Sequence, residues 1–184
     1  MDKLNMIYFI ADTHFKHENI LRFSKRPFGT IEEHDQTLID NWNKTVSETD
    51  EVYILGDLTL SHKGSDANQL LSQLNGKKYL IKGNHEKYLE DPEFDQSQYE
   101  WIKDYYTFDY SGVKFVLFHY PILEWDGFFK KSVQLYGHVH NTRLDYFKET
   151  LDPRAINVGV DLIDFTPISI SNIMKYFNSI NTNK

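Results

Sequence analysis

The chain has 184 residues, a formal net charge of −7 at neutral pH, 40% hydrophobic residues and no cysteine. This length and composition suit one domain with a sizeable core, so we expect a single domain over residues 1–184. The acidic charge argues against a protein that relies on contacts with nucleic-acid phosphates, and the missing cysteine excludes thiolate ligands and thiol nucleophiles.

The pattern of apolar residues bears on where the protein works. The longest apolar run falls short of the roughly 20 residues that a membrane helix needs. A strand-like run already begins at Met6, which leaves no room for a signal peptide. The absence of cysteine suits a chain that needs no disulfides. We therefore expect a soluble, cytoplasmic protein without a membrane partner.

The first predicted element is a buried strand that ends in two candidate metal ligands. Met6 to Ala11 is a near-continuous apolar run, which is typical of a strand covered on both faces. Asp12 and His14 follow it, and side chains two residues apart on an extended backbone point to the same side. A cation would fit between them. An aspartate after a strand is often only a turn residue, so this interpretation depends on recurrence of the pattern.

Residues 15–29 are predicted as an irregular loop with a short helical turn. This loop holds His17 and four basic residues, among them Arg26. We expect His17 and Arg26 at the rim of the site, where they would bind a substrate phosphate. A solvated loop is the alternative for the basic residues.

Three helices are predicted further along the chain. Thr30 and Glu33 form a capping box that opens a helix to about Val46. A second helix is predicted over 66–74, and an amphipathic helix over 171–180 closes the chain. Residues 87–104 are predicted as loop and short helix. The aromatic segment 125–131 is either part of the core or a loop that faces the substrate.

Four later strand-like runs also end in candidate ligands. One of them, 113–118, is predicted to form a hairpin with the run 105–110 across Ser111-Gly112. A further strand is predicted over 155–160, before Asp161. Ligands bind beyond the carboxyl ends of strands in open α/β sheets. The carboxyl ends of these strands are therefore expected to line one crevice. They carry Asp57 after 52–55, Asn84 and His85 after 79–82, His119 after 113–118, and His138 and His140 after 133–136.

The candidate ligands form a set of seven oxygen and imidazole donors: Asp12, His14, Asp57, Asn84, His119, His138 and His140. Such donors suit Zn, Mn, Fe, Ni or Co. Seven are too many for one open catalytic ion, and they suit two ions about 3.5–4 Å apart that share a carboxylate. Asp57 lies in the middle of the array. Of the remaining histidines, His34 and His62 lie in unremarkable polar surroundings.

Five of these motifs, in this order, resemble those of the calcineurin-like metallophosphoesterases. They are Asp12-x-His14, Gly56-Asp57, Gly83-Asn84-His85-Glu86, His119 and Gly137-His138-x-His140. The resemblance spans residues 7–140 and extends to 157–161, which is similar to the closing strand of small bacterial and phage members. It implies an α/β fold: a four-layer αββα sandwich of two mixed β-sheets flanked by helices, with a dinuclear centre at one edge.

The resemblance also implies roles for single residues. One ion would take Asp12, His14 and His140, and the other Asn84, His119 and His138, with Asp57 between them. A metal-bound hydroxide would attack phosphorus, His85 would protonate the leaving oxygen, and Asn84 with the metals would hold the developing charge. Many members carry a second aspartate three residues after Asp57, which orients the histidine, whereas this chain has Leu60. His17 or Glu86 would then support or replace His85.

We therefore expect a phosphoesterase that uses two divalent ions, Mn²⁺, Fe²⁺ or Fe³⁺, Zn²⁺ or Ni²⁺, on a phosphodiester or a small nucleotide-like phosphoester. No stable nucleic-acid partner is expected, and no oligomeric state is predicted. The alternatives are a phosphomonoesterase, a protein phosphatase or a nuclease of the same family. A further alternative is a metal-stabilised scaffold that binds a protein partner without catalysis.

Overall fold

The computed structural model describes residues 5–182, with the side chains of residues 5–180. Its first sheet contains five strands in the order β4-β3-β2-β1-β9. Strands β1 to β4 run parallel, and β9 pairs antiparallel with β1. The strands are β1 (Ile7–Ile10), β2 (Glu51–Ile54), β3 (Lys77–Ile81), β4 (Trp101–Lys103) and β9 (Ile168–Ser169).

The second sheet contains four strands in the order β5-β6-β7-β8. The predicted hairpin is confirmed, because β5 and β6 pair antiparallel in register from Tyr105 opposite Phe118 to Tyr110 opposite Val113. Strands β6, β7 and β8 run parallel, so both sheets are mixed. The strands are β5 (Tyr105–Tyr110), β6 (Val113–Phe118), β7 (Ser132–Tyr136) and β8 (Ala155–Asn157).

Five α-helices connect or flank the strands: α1 (Glu18–Phe23), α2 (Ile31–Thr45), α3 (Gly64–Leu71), α4 (Leu144–Thr150) and α5 (Ile170–Thr182). The capping prediction for α2 holds in part. The Thr30 side chain accepts a hydrogen bond from the Glu33 backbone N–H at 3.1 Å. The Glu33 carboxylate binds the N–H of Gly29 at 2.8 Å, one residue before the capping-box position.

Helix α4, strand β4 and the end of β8 differ from the prediction. Leu144 and Phe147 have helical spacing, but α4 has only seven residues, none of them buried, and its N-cap residue makes no side-chain cap, so the sequence marks it weakly. The segment 87–104 forms two 3₁₀ turns and the short edge strand β4. Strand β8 stops at Asn157, and a 3₁₀ turn begins at Val160.

Two apolar clusters hold the layers together. The first lies between the first sheet and helices α2 and α3, and it contains fully buried Trp42 and Leu71. The second lies between the two sheets, where Phe9 stacks on Phe115 at 5.9 Å between ring centroids. Residues 120–125 lie along β7, since Gln134 donates to the carbonyl of Tyr120 and Trp125 donates to the hydroxyl of Ser132. The predicted αββα arrangement of two mixed sheets and flanking helices is confirmed.

The aromatic loop 125–131 does not face the strand ends that carry the candidate ligands. Trp125 is buried, and its Nε1–H donates to the hydroxyl of Ser132, the first residue of β7, at 2.9 Å. The candidate ligands follow the other end of β7. Of the two interpretations that the sequence left open, the core position is therefore the one that holds for Trp125. Within residues 5–182, no helix is long and apolar enough to cross a membrane.

Candidate metal centre

The structure brings six of the seven predicted ligands into two groups at the carboxyl ends of the strands. Ligand atoms of Asp12, His14 and His140 lie within 4.8 Å of one another. Ligand atoms of Asp57, His119 and His138 lie within the same distance of one another. The first group joins the loops after β1 and β7, and the second joins those after β2, β6 and β7. Each group can hold one divalent cation.

Asp57 lies between the two groups. Its Oδ2 is 3.5 Å from Nε2 of His14 in the first group and 3.6 Å from Nε2 of His119 in the second. Its Oδ1 accepts the backbone N–H groups of Asn84 and His85, both at 3.0 Å. One carboxylate oxygen therefore faces both groups, and the other fixes the loop that follows β3.

Asn84 completes the second group. Its Oδ1 lies 3.3 Å from Nε2 of His119, and its side chain is exposed to solvent. An amide oxygen in this position can ligate a cation, and the amide N–H group is free to bind an oxygen of a substrate. The structure thus places the seventh predicted ligand beside the other three members of its half-site.

Five of the ligand residues have left-handed backbone conformations. The φ angles are 57° for Asp12, 52° for His14, 57° for Asp57, 70° for His138 and 49° for His140. Such angles are uncommon for residues other than glycine and they concentrate at functional sites. Hydrogen bonds hold the strained loops, since the N–H of His138 donates to both carboxylate oxygens of Asp12 at 2.9 Å.

Gly56 and Gly83 precede candidate ligands and allow a close approach of backbone at the site. Gly56 has φ +87°, and a Cβ atom there would lie 2.5 Å from Nδ1 of His119 and 2.7 Å from Cα of Gly83. A Cβ atom on Gly83 would collide with the carboxylate of Asp57. Any larger residue would push apart the loops that carry the second group.

The residues present fit a pair of divalent cations. Nε2 of His14 is the one buried side-chain polar atom within the described part of the chain that lacks a hydrogen-bond partner. His119 donates its Nδ1–H to the carbonyl of Leu55 at 2.7 Å and His140 donates its Nδ1–H to Asp161 at 2.9 Å, which leaves Nε2 of each ring as a ligand. Burial lowers the pKa of His14 and raises the pKa of Asp12 to about 6. Neutral imidazole is the form that binds metal.

His85 lies in the site but has no orienting carboxylate. Its ring packs edge-on against His14, with centroids 5.3 Å apart, and lies 6.4 Å from the ring of His17. Glu86 does not support it, because the Glu86 carboxylate accepts the backbone N–H groups of Leu58 at 3.1 Å and Gly83 at 2.6 Å. Among the described residues, no carboxylate forms a hydrogen bond with the His85 ring.

His17 lies beside a ligand rather than apart from the ligands. Its Nδ1 is 3.3 Å from Nδ1 of His14, and its ring is half-buried. The pair fixes the orientation of the His14 ring, because the Nδ1 atoms can share one proton and leave Nε2 of His14 free. A contact between His17 and a substrate phosphate stays a prediction.

The prediction that Arg26 binds the substrate phosphate is wrong. The Arg26 side chain is fully buried, and protein groups accept all five of its N–H donors. The acceptors are the carbonyl oxygens of Asp12 and Thr13, the two carboxylate oxygens of Asp161, and Nε2 of His34. No donor remains for a phosphate, so Arg26 holds the loop after β1 in place.

The sequence interpretation missed His34 and Asp161 as parts of this site. His34 was placed in unremarkable polar surroundings, yet it is fully buried. Its position on the apolar face of α2, four residues before Leu38 and eight before Trp42, was a signal of burial. Asp161 gave no such signal, because its partner Arg26 lies 135 residues away in the sequence.

Glu86 joins the two loops that form the second group, and its removal is expected to destabilise the protein. Replacing Glu86 by Ala leaves two buried N–H groups without an acceptor, which costs about 1–3 kcal/mol of unfolding free energy. Denaturant unfolding of the metal-free protein measures this loss. Glu48→Ala, at an exposed residue, is the control and should change stability little. Equal unfolding free energies for both variants would show that Glu86 does not hold the loops.

Two mixed sheets with two candidate ligand groups across their carboxyl ends define the class: an αββα protein with two candidate metal sites. The chain belongs to the calcineurin-like phosphoesterase family, whose model matches residues 6–163. The resemblance seen in the motifs is confirmed. Membership supports metal-dependent hydrolysis of phosphoesters in general.

Three similar proteins match most of the chain. An uncharacterised protein of Methanocaldococcus jannaschii is 38% identical over 94% of this chain and 91% of its own length. The Gene 66 protein of Mycobacterium phage D29 is 26% identical over 86% of this chain and 89% of its own. The crystal structure of a protein of unknown function from Aquifex aeolicus superposes with a TM-score of 0.71, at 29% identity, and covers 93% of this chain and 98% of that chain.

Proposed function

We propose that this protein hydrolyses a phosphodiester or a small nucleotide-like phosphoester with a pair of divalent metal ions. The position of Asp57 carries the proposal, because one of its oxygens faces a histidine of each ligand group at 3.5 and 3.6 Å. A shared carboxylate between two open half-sites is the arrangement that suits in-line displacement at phosphorus. A site for one structural ion would need only four of these ligands.

The two groups supply ligands for two ions. Asp12, His14 and His140 would hold one, Asn84, His119 and His138 would hold the other, and Asp57 would touch both. Bound ions would supply a nucleophile at neutral pH and neutralise charge on the phosphoryl oxygens. Nitrogen and carboxylate donors of this kind suit Mn, Fe, Zn or Ni.

The chain's own residues would bind and protonate the substrate. The exposed amide of Asn84 can donate to a phosphoryl oxygen and stabilise the charge that develops there. The His85 ring can give a proton to the departing oxygen. His17, beside both His14 and His85, can contact a phosphate oxygen on the same side of the site.

A cavity beside Asn84 favours a substrate with a second substituent on phosphorus. It has a volume of about 540 Å³, which is within the range of small-molecule sites. Apolar Leu89 and Ile102 line it together with Lys82, Lys87, Glu86, Glu90 and Gln96. A diester or a nucleotide would place its alcohol or nucleoside part in such a cavity, whereas a simple phosphate monoester would leave it unused.

Metal content gives the first test. We expect about two transition-metal ions per chain after loading at neutral pH, measured by elemental analysis and by anomalous scattering from crystals. His138→Ala should keep one of the two ions, since it removes a ligand of one group only. A single ion in the unaltered protein would overturn the dinuclear proposal.

Substrate class is tested by screening the manganese-loaded protein. Cyclic nucleotides, nucleoside monophosphates, dinucleotides and model mono- and diesters form the set, and hydrolysis of diesters or nucleotides is expected. Faster hydrolysis of simple monoesters would favour a phosphomonoesterase. No hydrolysis of any ester by a protein that holds both ions would favour the non-catalytic scaffold.

A further inference from the structure

Arg26, Asp161 and His34 form a buried cluster behind the first ligand group. Arg26 follows α1, His34 lies in the first turn of α2, and Asp161 follows β8. The side chains of Arg26 and His34 are fully buried and that of Asp161 is 1% exposed. A buried ion pair is weak support for stability by itself. Its hydrogen bonds to the residues of the first ligand group are what indicate a role.

Every ligand of the first group is held by this cluster. Nη2 of Arg26 donates to the carbonyl of Asp12 at 2.7 Å, and Nη1 donates to the carbonyl of Thr13, the residue before His14, at 2.9 Å. The remaining ligand, His140, donates its Nδ1–H to Oδ2 of Asp161 at 2.9 Å. The same Oδ2 accepts Nη2 of Arg26 at 3.0 Å.

His34 fixes the position of the guanidinium from the other side. A guanidinium can only donate, so Nε2 of His34 accepts from Nη1 of Arg26 at 2.8 Å, and its Nδ1–H donates to Asp35 at 2.7 Å. This chain of contacts sets one tautomer for His34. It also joins the start of α2 to the strained loop after β1, where Asp12 and His14 have φ angles of 57° and 52°.

The second ligand group meets the first at Asp57 and at the His138 N–H, which donates to the Asp12 carboxylate, but its other supports lie elsewhere. His119 is held by the carbonyl of Leu55, and Asn84 is held by Asp57 through its backbone N–H. Gly56 and Gly83 set the spacing of the two loops. Within residues 5–180, neither Asn84, His119 nor His138 makes a hydrogen bond with Arg26, His34 or Asp161.

We propose that Arg26, Asp161 and His34 act as a positioning clamp that sets the metal affinity of the first ligand group and leaves that of the second unchanged. Weakening the clamp would then convert a dinuclear protein into a mononuclear one. This inference rests on the two-ion part of the proposed function. Its test needs no substrate, so a failed ester screen would not decide it.

The test measures Mn²⁺ binding to metal-free protein by calorimetry in two backgrounds. His138→Ala weakens the second group, and His140→Ala weakens the first. Arg26→Lys keeps the charge but loses the planar fork that binds Asp161 through two atoms. In the His138→Ala background, Arg26→Lys should lower the Mn²⁺ affinity of the first ligand group about 10- to 100-fold, which is the usual effect of removing a residue that orients a metal ligand. In the His140→Ala background the affinity should stay within about twofold.

Arg154 offers a matched control. It also pairs with a carboxylate through two atoms, Nε and Nη2 to Asp152 at 2.7 and 2.9 Å, and its Nη1 donates to the carbonyls of Phe128 and Lys130. It precedes β8, at the end of the sheet away from the ligands. Arg154→Lys should leave Mn²⁺ affinity unchanged in both backgrounds.

A second variant covers the case in which Arg26→Lys does not fold, as judged by circular dichroism of the metal-free protein. Asp161→Asn keeps the shape of the side chain and weakens its bonds to Arg26 and His140, and it should give the same selective loss. Electron paramagnetic resonance of Mn²⁺-loaded Arg26→Lys and Asp161→Asn, each made without the His138 or His140 substitution, should show isolated Mn²⁺ in place of a coupled pair. Equal losses in both backgrounds, or no loss in either, would overturn the clamp.

Discussion

Replacing Asp57 by asparagine is expected to remove both metal ions and to lower activity more than any other single ligand change. Oδ2 of Asp57 faces both ligand groups, while Oδ1 accepts two backbone N–H groups at 3.0 Å. An amide has one oxygen and one N–H₂ group. If the amide oxygen takes the place of Oδ1, the amide N–H₂ group faces the metal ions. If the amide oxygen takes the place of Oδ2, the N–H₂ group faces the backbone N–H groups of Asn84 and His85, which are also donors. Neither orientation preserves the site.

The size of this effect follows from what the ions contribute. Loss of a single charge-stabilising donor in an active site costs about 10²–10³-fold, and loss of both ions should exceed that. Asn84→Ala should cost less, because Asn84 serves one group only. Metal content and kcat/KM measured together on the same protein samples check both statements.

Asp50→Asn is a matched control for Asp57→Asn. Asp50 is also a buried aspartate that accepts backbone N–H groups, from Met6 and Ser47, but it lies before β2 rather than after it. This control should lower the unfolding free energy and keep both ions. Retention of two ions by Asp57→Asn would show that Asp57 is not shared between the groups.

The sequence predicted the ligands because their signal is local. Asp12 and His119 each follow an apolar run directly, and Asp57 follows one after Gly56, so the apolar runs place all three at the carboxyl ends of strands. The groups behind the ligands could not be found this way. From the sequence alone, Arg26 is a basic residue of a loop. Its partner Asp161 lies 135 residues away, and only the structure shows that the two pair. Long-range polar contacts of this kind leave no periodic pattern.

The missed elements also have physical causes. Helix α4 has only seven residues and none of them is buried, so its sequence pattern is short and weak, and β4 has only three residues at the edge of its sheet. Trp125 shows a different limit, because its sequence context left two interpretations open. An aromatic residue between turn signals suits either a core or a ligand surface, and only its hydrogen bond to Ser132 decides in favour of the core.

His85→Ala is expected to slow hydrolysis of alkyl and nucleoside esters far more than that of p-nitrophenyl esters, with both ions retained. The His85 ring lies against ligand His14 at 5.3 Å between centroids but belongs to neither ligand group. Imidazole is a proton donor near neutral pH. A ribose or alkyl oxygen leaves poorly without a proton, whereas nitrophenolate leaves as a stable anion. The difference in kcat/KM between the two substrate types should be about 10²–10⁴-fold, the usual worth of general acid catalysis.

Two further variants separate proton transfer from phosphate binding. His85→Asn keeps a hydrogen-bond donor that cannot transfer a proton, so it should behave like His85→Ala if the acid role holds. His62→Ala, at an exposed histidine, should change neither substrate type. No carboxylate within residues 5–180 forms a hydrogen bond with the His85 ring, and its ring neighbours there include His14 and His17. Equal losses on both substrates, restored by His85→Asn, would instead make His85 a phosphate ligand that stabilises the transition state through its N–H group.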